Sequence, residues 1–265
     1  MPKKWTASSI KESKGRQKLI CLTAYDYTSS RLLDESGVNL ILVGDSLAGT
    51  ILGYKNTLPV TMEEMLHHTS AAARGIQNAL LVADMPFMSY QVSTEQALTN
   101  GGRFLKEAGA DAVKIEGGEI RVDTIKTLVA NGIPVLGHIG LMPQSINQLG
   151  GYKVQGKKPP EAKQLIKDAV ALEKAGVFAI VLECIPPRLA AEITKAVKVP
   201  TIGIGAGRHC DGQILVTHDM LGLSQDLSPK FAKRYAELGN EIKEAVKEYS
   251  KDVQSGKFPA DEHTY

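Results

Sequence analysis

The sequence predicts an α/β fold: a closed (β/α)8 (TIM) barrel forming a single domain, with an N-terminal arm and a C-terminal helix. Three observations point to it. Short apolar runs such as residues 40–43, 80–83, 112–115 and 179–182 read as strands buried on both faces, as in a parallel sheet. Helix-like segments separate them, most closed by Gly, so that strand and helix alternate about eight times. Four of the strands deliver an acid at or just beyond their C-terminal end: Asp45, Asp84, Glu116 and Glu183. Barrel strands present their C-termini on the active-site face. A Gly-rich dinucleotide fingerprint after the first strand, which a Rossmann fold needs, is absent.

Taken in order, residues 1–18 read as a polar arm with a short helix around 8–13, and residues 19–265 as the barrel domain. The first strand is expected at 19–23, a helix at 29–35 and the second strand at 40–43. An irregular stretch runs to Pro59. Thr61 is placed to cap the next helix, with Glu64 completing a capping box. Strand three follows at 80–83. Ser93 opens another helix, with Gln96 in the reciprocal capping position, and Gly109 closes it. Strand four is 112–115, a helix ends at Asn131-Gly132, and strand five is 134–136, running into Gly137-His138-Ile139-Gly140. A long loop spans 141–160. A helix at 161–175, strand six at 178–182, a short helix at 187–197, and strands at 200–204 and 213–217 complete the alternation. The tail from 228 to about 251 carries Phe231, Tyr235, Leu238, Ile242 and Val246 at helical spacing.

Composition narrows the function classes. The chain has 265 residues, 43% hydrophobic, and a net charge of +2. That length suits one barrel, and the balance of charge argues against nucleic acid or an anionic membrane as the main partner. Cys21, Cys184 and Cys210 are odd in number and lack Cys-x-x-Cys spacing, which fits reduced thiols in a cytoplasmic protein. Residues 1–18 lack the apolar core of a signal peptide, and no apolar run reaches the roughly 20 residues of a membrane span.

The rim acids suggest chemistry. Asp45 and Asp84 end neighbouring strands, and carboxylates brought together repel unless a cation lies between them or one is protonated. Oxygen ligands without His or Cys pairs suit Mg2+; the structural alternative is that these acids cap helices or pair with arginines. Lys114 precedes Glu116 by two residues, so both share a strand face. They form either a buried ion pair or a fixed cation for a substrate carboxylate or developing oxyanion. His138 lies between two residues of a glycine-flanked strand end, as a core histidine or a site residue. Glu183 precedes Cys184 and two prolines and suits a general base. His67-His68 falls inside a helix, where adjacent residues diverge by about 100°, and is not a chelating pair. Gly203-Ile-Gly205-Ala-Gly207 reads either as a phosphate loop or as glycines needed for tight turning. His209 and Cys210 read as incidental, and Lys230, Lys233 and Arg234 as a solvated helix face.

The motifs also resemble a known family. Thr23-Ala-Tyr-Asp-Tyr27, Val43-Gly-Asp-Ser46, Leu58-Pro-Val-Thr61, Ala83-Asp-Met-Pro-Phe87 and Val113-Lys-Ile-Glu-Gly-Gly118 occur in order. They are followed by Gly137-His-Ile-Gly-Leu141, Gly150-Gly-Tyr-Lys-Val-Gln-Gly156, Leu182-Glu-Cys184, Gly203-Ile-Gly-Ala-Gly207 and Asp211-Gly-Gln-Ile-Leu-Val216. In that joint order, from about residue 18 onward, the chain resembles ketopantoate hydroxymethyltransferase (3-methyl-2-oxobutanoate hydroxymethyltransferase). The resemblance implies a barrel that transfers a hydroxymethyl group from 5,10-methylenetetrahydrofolate to 3-methyl-2-oxobutanoate through a Mg2+-stabilised enolate. The product, 2-dehydropantoate, leads to pantothenate and coenzyme A. It implies one Mg2+ per subunit on Asp45 and Asp84, with Glu116 at or close to the ion. Asp45, Ser46, Asp84, Lys114 and His138 would line the substrate site, Glu183 would be the proton acceptor, and the assembly would be a cytoplasmic homodecamer.

Two rivals remain from the residues alone. A Mg2+-dependent lyase or mutase of the phosphoenolpyruvate mutase and isocitrate lyase type would be expected to use a cysteine in a flexible loop, and all three cysteines fall outside 141–160. A non-catalytic scaffold would not need the rim carboxylates together with a lysine and a histidine.

Overall fold

The computed structural model describes residues 4–224 and 229–265. They form two compact units, the first ending at Val216 and the second beginning at Thr217, whereas the sequence reading set its boundary after residue 18. In the first unit eight parallel strands close into a barrel in sequence order. They are β1 (Leu19–Thr23), β2 (Leu40–Val43), β3 (Leu80–Asp84), β4 (Ala112–Glu116), β5 (Val135–Gly140), β6 (Ala179–Glu183), β7 (Thr201–Ile204) and β8 (Gly212–Leu215). β8 pairs with β1, Leu19 opposite Gly212, and closes the ring.

The helices of this unit are α1 (Ala7–Glu12), α2 (Tyr27–Glu35), α3 (Leu47–Thr50), α4 (Met62–Ala73), α5 (Thr94–Lys106), α6 (Val122–Ala130), α7 (Ile146–Leu149), α8 (Pro159–Ala175) and α9 (Pro187–Ala196). Their starts follow local chemistry. Thr61 Oγ1 accepts from Glu64 N–H at 3.2 Å and Glu64 Oε2 accepts from Thr61 N–H at 2.8 Å, the reciprocal cap expected for α4. At α5 only half of the expected pair forms: Ser93 Oγ accepts from Gln96 N–H at 3.1 Å, while Gln96 Oε1 has no partner among the described residues. α2 begins two residues earlier than expected because Asp26 caps it through Ser29 N–H.

The polar arm does more than its composition implied. Ile10, on α1, is fully buried in one cluster with residues from all eight strands, including Leu19, Leu40, Leu80, Leu136, Ile202 and Ile214. One isoleucine in a polar segment thus fills the barrel interior beneath the strands.

Side chains two residues apart share a strand face. Stepping by two from the cluster residues Val82, Ala112, Leu136 and Val181 therefore reaches Asp84, Lys114 with Glu116, His138 and Glu183. The barrel interior changes within one strand length from hydrocarbon to ions. β5 is longer than expected. Gly137 to Gly140 stay in the ladder because both neighbours pair with them: Glu116 opposite His138, and Gly140 opposite Glu183.

In the second unit α10 (Thr217–Met220) is followed by α11 (Leu238–Ser255). The expected tail helix therefore begins at Leu238; Ser228, where it was expected to start, lies outside the described residues. Residues 230–237 are not helical, and Lys233 Nζ instead lies over the Tyr235 ring, 4.7 Å from its centre. α11 buries none of its residues, and Ile242, Val246, Tyr249 and Val253 are exposed along it. Among the described residues, no helix is long and apolar enough to cross a membrane.

Candidate active site

The C-terminal ends of β2 to β6 bring six ionisable side chains together. Lys114 Nζ donates to both oxygens of Asp84, at 2.7 and 2.8 Å, and lies 3.5 Å from Glu116 Oε1. The register explains the pair, since Asp84 stands opposite Lys114 across the β3–β4 ladder. Asp45 comes from the turn after β2, and its N–H donates to Asp84 Oδ2 at 3.1 Å. His138 lies between two acids, its Nδ1 3.4 Å from Glu116 Oε1 and its Nε2 3.2 Å from Glu183 Oε2. Neither ring nitrogen is aligned for a hydrogen bond, so these contacts are charge pairs. Asp45, Asp84, Lys114, Glu116 and His138 are all buried, whereas Glu183 keeps 16% of its side chain exposed.

Electrostatics follow from that burial. Loss of solvent, then the charge of Asp84, pushes the Asp45 carboxyl well above its usual range. Burial also raises Asp84, against the pull of Lys114. Burial alone would raise Glu116, but Lys114 and then His138 carry it below the usual range. Burial would lower Lys114, yet Asp84, Glu116 and Asp45 together raise it, so it stays a cation. For His138, burial and the charge of Lys114 act downward. The close carboxylates of Glu116 and Glu183 outweigh them and lift it to about 9. Four acidic side chains therefore face two cations in a space shielded from water. The two aspartates hold a proton more readily than usual, because burial raises them and no further cation among the described residues offsets it.

This imbalance fits a hard divalent cation. Asp45 Oδ1 receives no hydrogen bond among the described residues, and buried Glu116 Oε1 is likewise without an aligned donor. Among the described residues, no three His, Cys, Asp or Glu side chains are arranged to hold an ion by themselves. Two carboxylates with water or substrate completing the shell is the coordination Mg2+ commonly takes.

Ser46 follows Asp45 and starts α3, its Oγ 2.8 Å from the hydroxyl of buried Tyr25. A side chain at Gly44 would come within 2.8 Å of that Oγ, so only glycine leaves Ser46 its place. Tyr152, 63% exposed, is raised by partial burial and then by the charges of Asp45, Glu183 and Glu116. The loop carrying it is tied to the end of β6, where Gln155 N–H donates to Cys184 O at 2.9 Å.

Three residues of the site were not singled out as site residues in the sequence, although Tyr25 falls within the first family motif. Gln144 and Tyr90 are buried between Asp45 and Glu116, and Tyr25 lies under Ser46. Gln144 falls in the stretch expected to be an irregular loop, which contains a 3-10 turn (Pro143–Ser145) and α7. Other candidates lie elsewhere. His67 and His68 meet edge to face, and His68 Nδ1 contacts Tyr25 O at 2.7 Å. Gly205 and Gly207 adopt positive φ, and a side chain on Gly207 would meet Pro187 at 2.7 Å, so the glycines there answer to the backbone.

Comparison with known proteins identifies the family of the chain. A family model described as ketopantoate hydroxymethyltransferase matches residues 4–261. The 3-methyl-2-oxobutanoate hydroxymethyltransferase of Clostridium novyi (strain NT) is 57% identical over 98% of this chain and 95% of its own length. That of Carboxydothermus hydrogenoformans is 56% identical over the same shares. Among solved structures, phosphoenolpyruvate phosphomutase from Streptomyces platensis subsp. rosaceus superposes with a TM-score of 0.64 at 14% identity, covering 95% of this chain and 88% of that one. 2,3-Dimethylmalate lyase gives 0.63 at 15% identity, covering 98% and 91%. These two share the barrel. The match to the family model over nearly the whole chain, with relatives above half identity, shows that the chain belongs to the ketopantoate hydroxymethyltransferase family.

Proposed function

We infer that this chain is a 3-methyl-2-oxobutanoate hydroxymethyltransferase, acting in pantothenate biosynthesis with methylenetetrahydrofolate as co-substrate, and propose how its barrel mouth does the work. The activity rests on the family relationship. The assignment of roles rests on the buried surplus of carboxylates at the ends of β2 to β6.

Asp45 and Asp84 are proposed to hold one Mg2+ per subunit, with Glu116 at or close to the ion. When bound, the ion supplies positive charge to the ketone and carboxylate oxygens of the keto acid. Lys114, fixed by Asp84 and Glu116, adds a permanent cation on the same side. Ser46 Oγ, held by Tyr25, offers a hydroxyl to the substrate carboxylate. The reaction requires removal of the proton on C3, a weakly acidic position beside the ketone. Glu183 is proposed to take that proton: it is the most exposed acid of the ring and stands across the barrel from Asp45. His138 Nε2 lies 3.2 Å from Glu183 Oε2, close enough to hold the carboxylate by charge. The resulting carbon nucleophile forms a C–C bond to the one-carbon unit of the folate. Both C–N bonds to that carbon break, and tetrahydrofolate leaves with its two nitrogens protonated by the C3 proton and one proton of a water. The same water supplies the hydroxyl of the product.

The working form is proposed to be a cytoplasmic homodecamer. The exposed apolar positions along α11 support association with further copies.

Turnover of 3-methyl-2-oxobutanoate with methylenetetrahydrofolate, measured with Mg2+ and after chelation, tests the proposal. Activity is expected only with the ion; undiminished turnover in chelator would remove the metal role. Exchange of the C3 hydrogen with deuterated water, without folate, isolates the first half-reaction.

A further inference from the structure

We propose that Gln144 is a positioning residue for the ion site: its carboxamide fixes one oxygen of Asp45 and leaves the other for the ion, while its main chain holds Glu116. The proposal rests on the reading of Asp45 as an ion ligand.

The carboxamide is fully engaged. Its Nε2 donates to Asp45 Oδ2 at 3.2 Å and to the carbonyl oxygen of Met85 at 2.9 Å. The Met85 carbonyl can only accept, so it fixes which end of the amide is nitrogen. Oε1 must then accept, and it does so from the Tyr90 hydroxyl at 2.7 Å and Gln91 Nε2 at 3.2 Å. The Gln144 main-chain N–H donates to Glu116 Oε2 at 3.1 Å. That N–H belongs to the first residues of a short 3-10 turn, where no internal acceptor exists for it, so Glu116 satisfies a group the turn leaves open. The hydroxyl of Tyr90 also accepts from Glu116 N–H at 3.3 Å.

One buried residue thus links two acids whose strands are not adjacent, Asp45 through its neutral side chain and Glu116 through its main chain. Neutrality matters. A lysine here would add charge that competes with the ion, and an acid would repel Asp45. An apolar residue would leave Asp45 Oδ2 and Met85 O without donors in a buried site. Groups that orient metal ligands in this way typically carry 10–100-fold in metal affinity.

Binding of Mn2+, followed by the electron paramagnetic resonance signal of the free ion, tests the proposal on the full-length protein. Gln144→Met keeps the volume and the main-chain bond to Glu116 but removes the amide. Its Mn2+ affinity is expected to fall about 10–100-fold, with the KM for the keto acid rising and kcat at saturating ion close to wild type. Tyr90→Phe removes the donor to Oε1 and is expected to weaken Mn2+ less. The double variant is expected to lose less than the sum of the two single losses, because both changes act on one amide, while Tyr90→Phe also frees Glu116 N–H. Tyr90→Phe carries the test alone if Gln144→Met fails to fold, which its circular dichroism would report. Wild-type Mn2+ affinity in Gln144→Met, or in a Tyr90→Phe carrying the test alone, overturns the proposal. Additive losses in the double variant overturn the link through Tyr90. Asp84→Asn serves as reference: if it binds Mn2+ as wild type does, the ion-site reading itself fails, and the role of Gln144 falls with it.

Discussion

His138 should be a cation at neutral pH, and that charge should be worth measurable stability. The residue is buried between Glu116 and Glu183, 3.4 and 3.2 Å away, and its pKa is lifted from 6.5 to about 9. At 1.36 kcal/mol per pKa unit the displacement corresponds to about 3 kcal/mol. The sign follows from the direction. A folded-state pKa above the unfolded value makes the contribution complete below about pH 6.5 and lost as pH rises through about 9. The ion-free protein should therefore lose about 3 kcal/mol of stability from this residue across that window. His138→Gln should remove that dependence, and comparing wild type with variant at each pH cancels the other titrating groups. Exchange of the imidazole C2 hydrogen, read by mass spectrometry on a peptide holding only His138, gives the midpoint directly. Adding Mg2+ should move the midpoint down, since a second cation nearby disfavours the imidazolium. A midpoint near 6.5 in the ion-free protein, or a wild-type-to-variant difference constant with pH, would refute the charge pairing.

Other outcomes follow from the same ring. Asp84→Ala should keep the fold, weaken Mg2+ binding measured by calorimetry and lower turnover; full activity in metal-free buffer would exclude Asp84 as a ligand. Lys114→Ala should raise the KM for the keto acid through loss of a charge-assisted contact, and it removes the cation buried against Asp84. Breaking such a pair costs about 3–5 kcal/mol, so a lower melting temperature should accompany the KM change; neither changing would show Lys114 to be dispensable. Glu183→Gln should retain keto-acid binding but slow C3 exchange with deuterated water by about 10²–10⁴-fold. Retained exchange with lost overall turnover would move Glu183 to the folate step. Asp34→Ala should destabilise the barrel without touching the site, because that carboxylate accepts the N–H groups of Gln77, Asn78 and Ala79. Equal denaturation midpoints for variant and wild type would contradict it.

The strands were legible because a run such as Leu40–Val43 is apolar on both faces and only a parallel sheet buries both. The rim acids were legible for the same reason, since each breaks such a run. Asp84, Glu116 and Glu183 proved to be the last residues of their strands and not the first of the loops. Their carboxylates can stay in the ladder because Lys114 and His138 stand opposite or between them. Gln144 and Tyr90 were not legible: nothing about a glutamine after a proline announces that it is buried 3.2 Å from an aspartate 99 residues earlier. The tail helix was misjudged at its start, because Phe231 and Tyr235 match a helical period but the backbone before Leu238 turns instead. Periodicity reports which residues are apolar, not where hydrogen bonding begins.

The stopper formed by Ile10 bears on the order in which the chain can fold. The segment after it is fastened to the far end of the barrel: Lys14 pairs with Asp211 at 2.7 Å, 197 residues away, and Leu19 stands opposite Gly212. Synthesis at roughly 5–20 residues per second separates these partners by about 10–40 s. Throughout that interval β1 has one unpaired edge, and the isoleucine meant for the barrel interior has no finished interior to enter. Contacts of such long sequence separation also slow folding after release, because loop closure precedes any gain from pairing. Until β8 has been made, β1 lacks its partner on that side, so the β1–β8 seam and the finished seat of the first helix form only after about residue 215 has been synthesised.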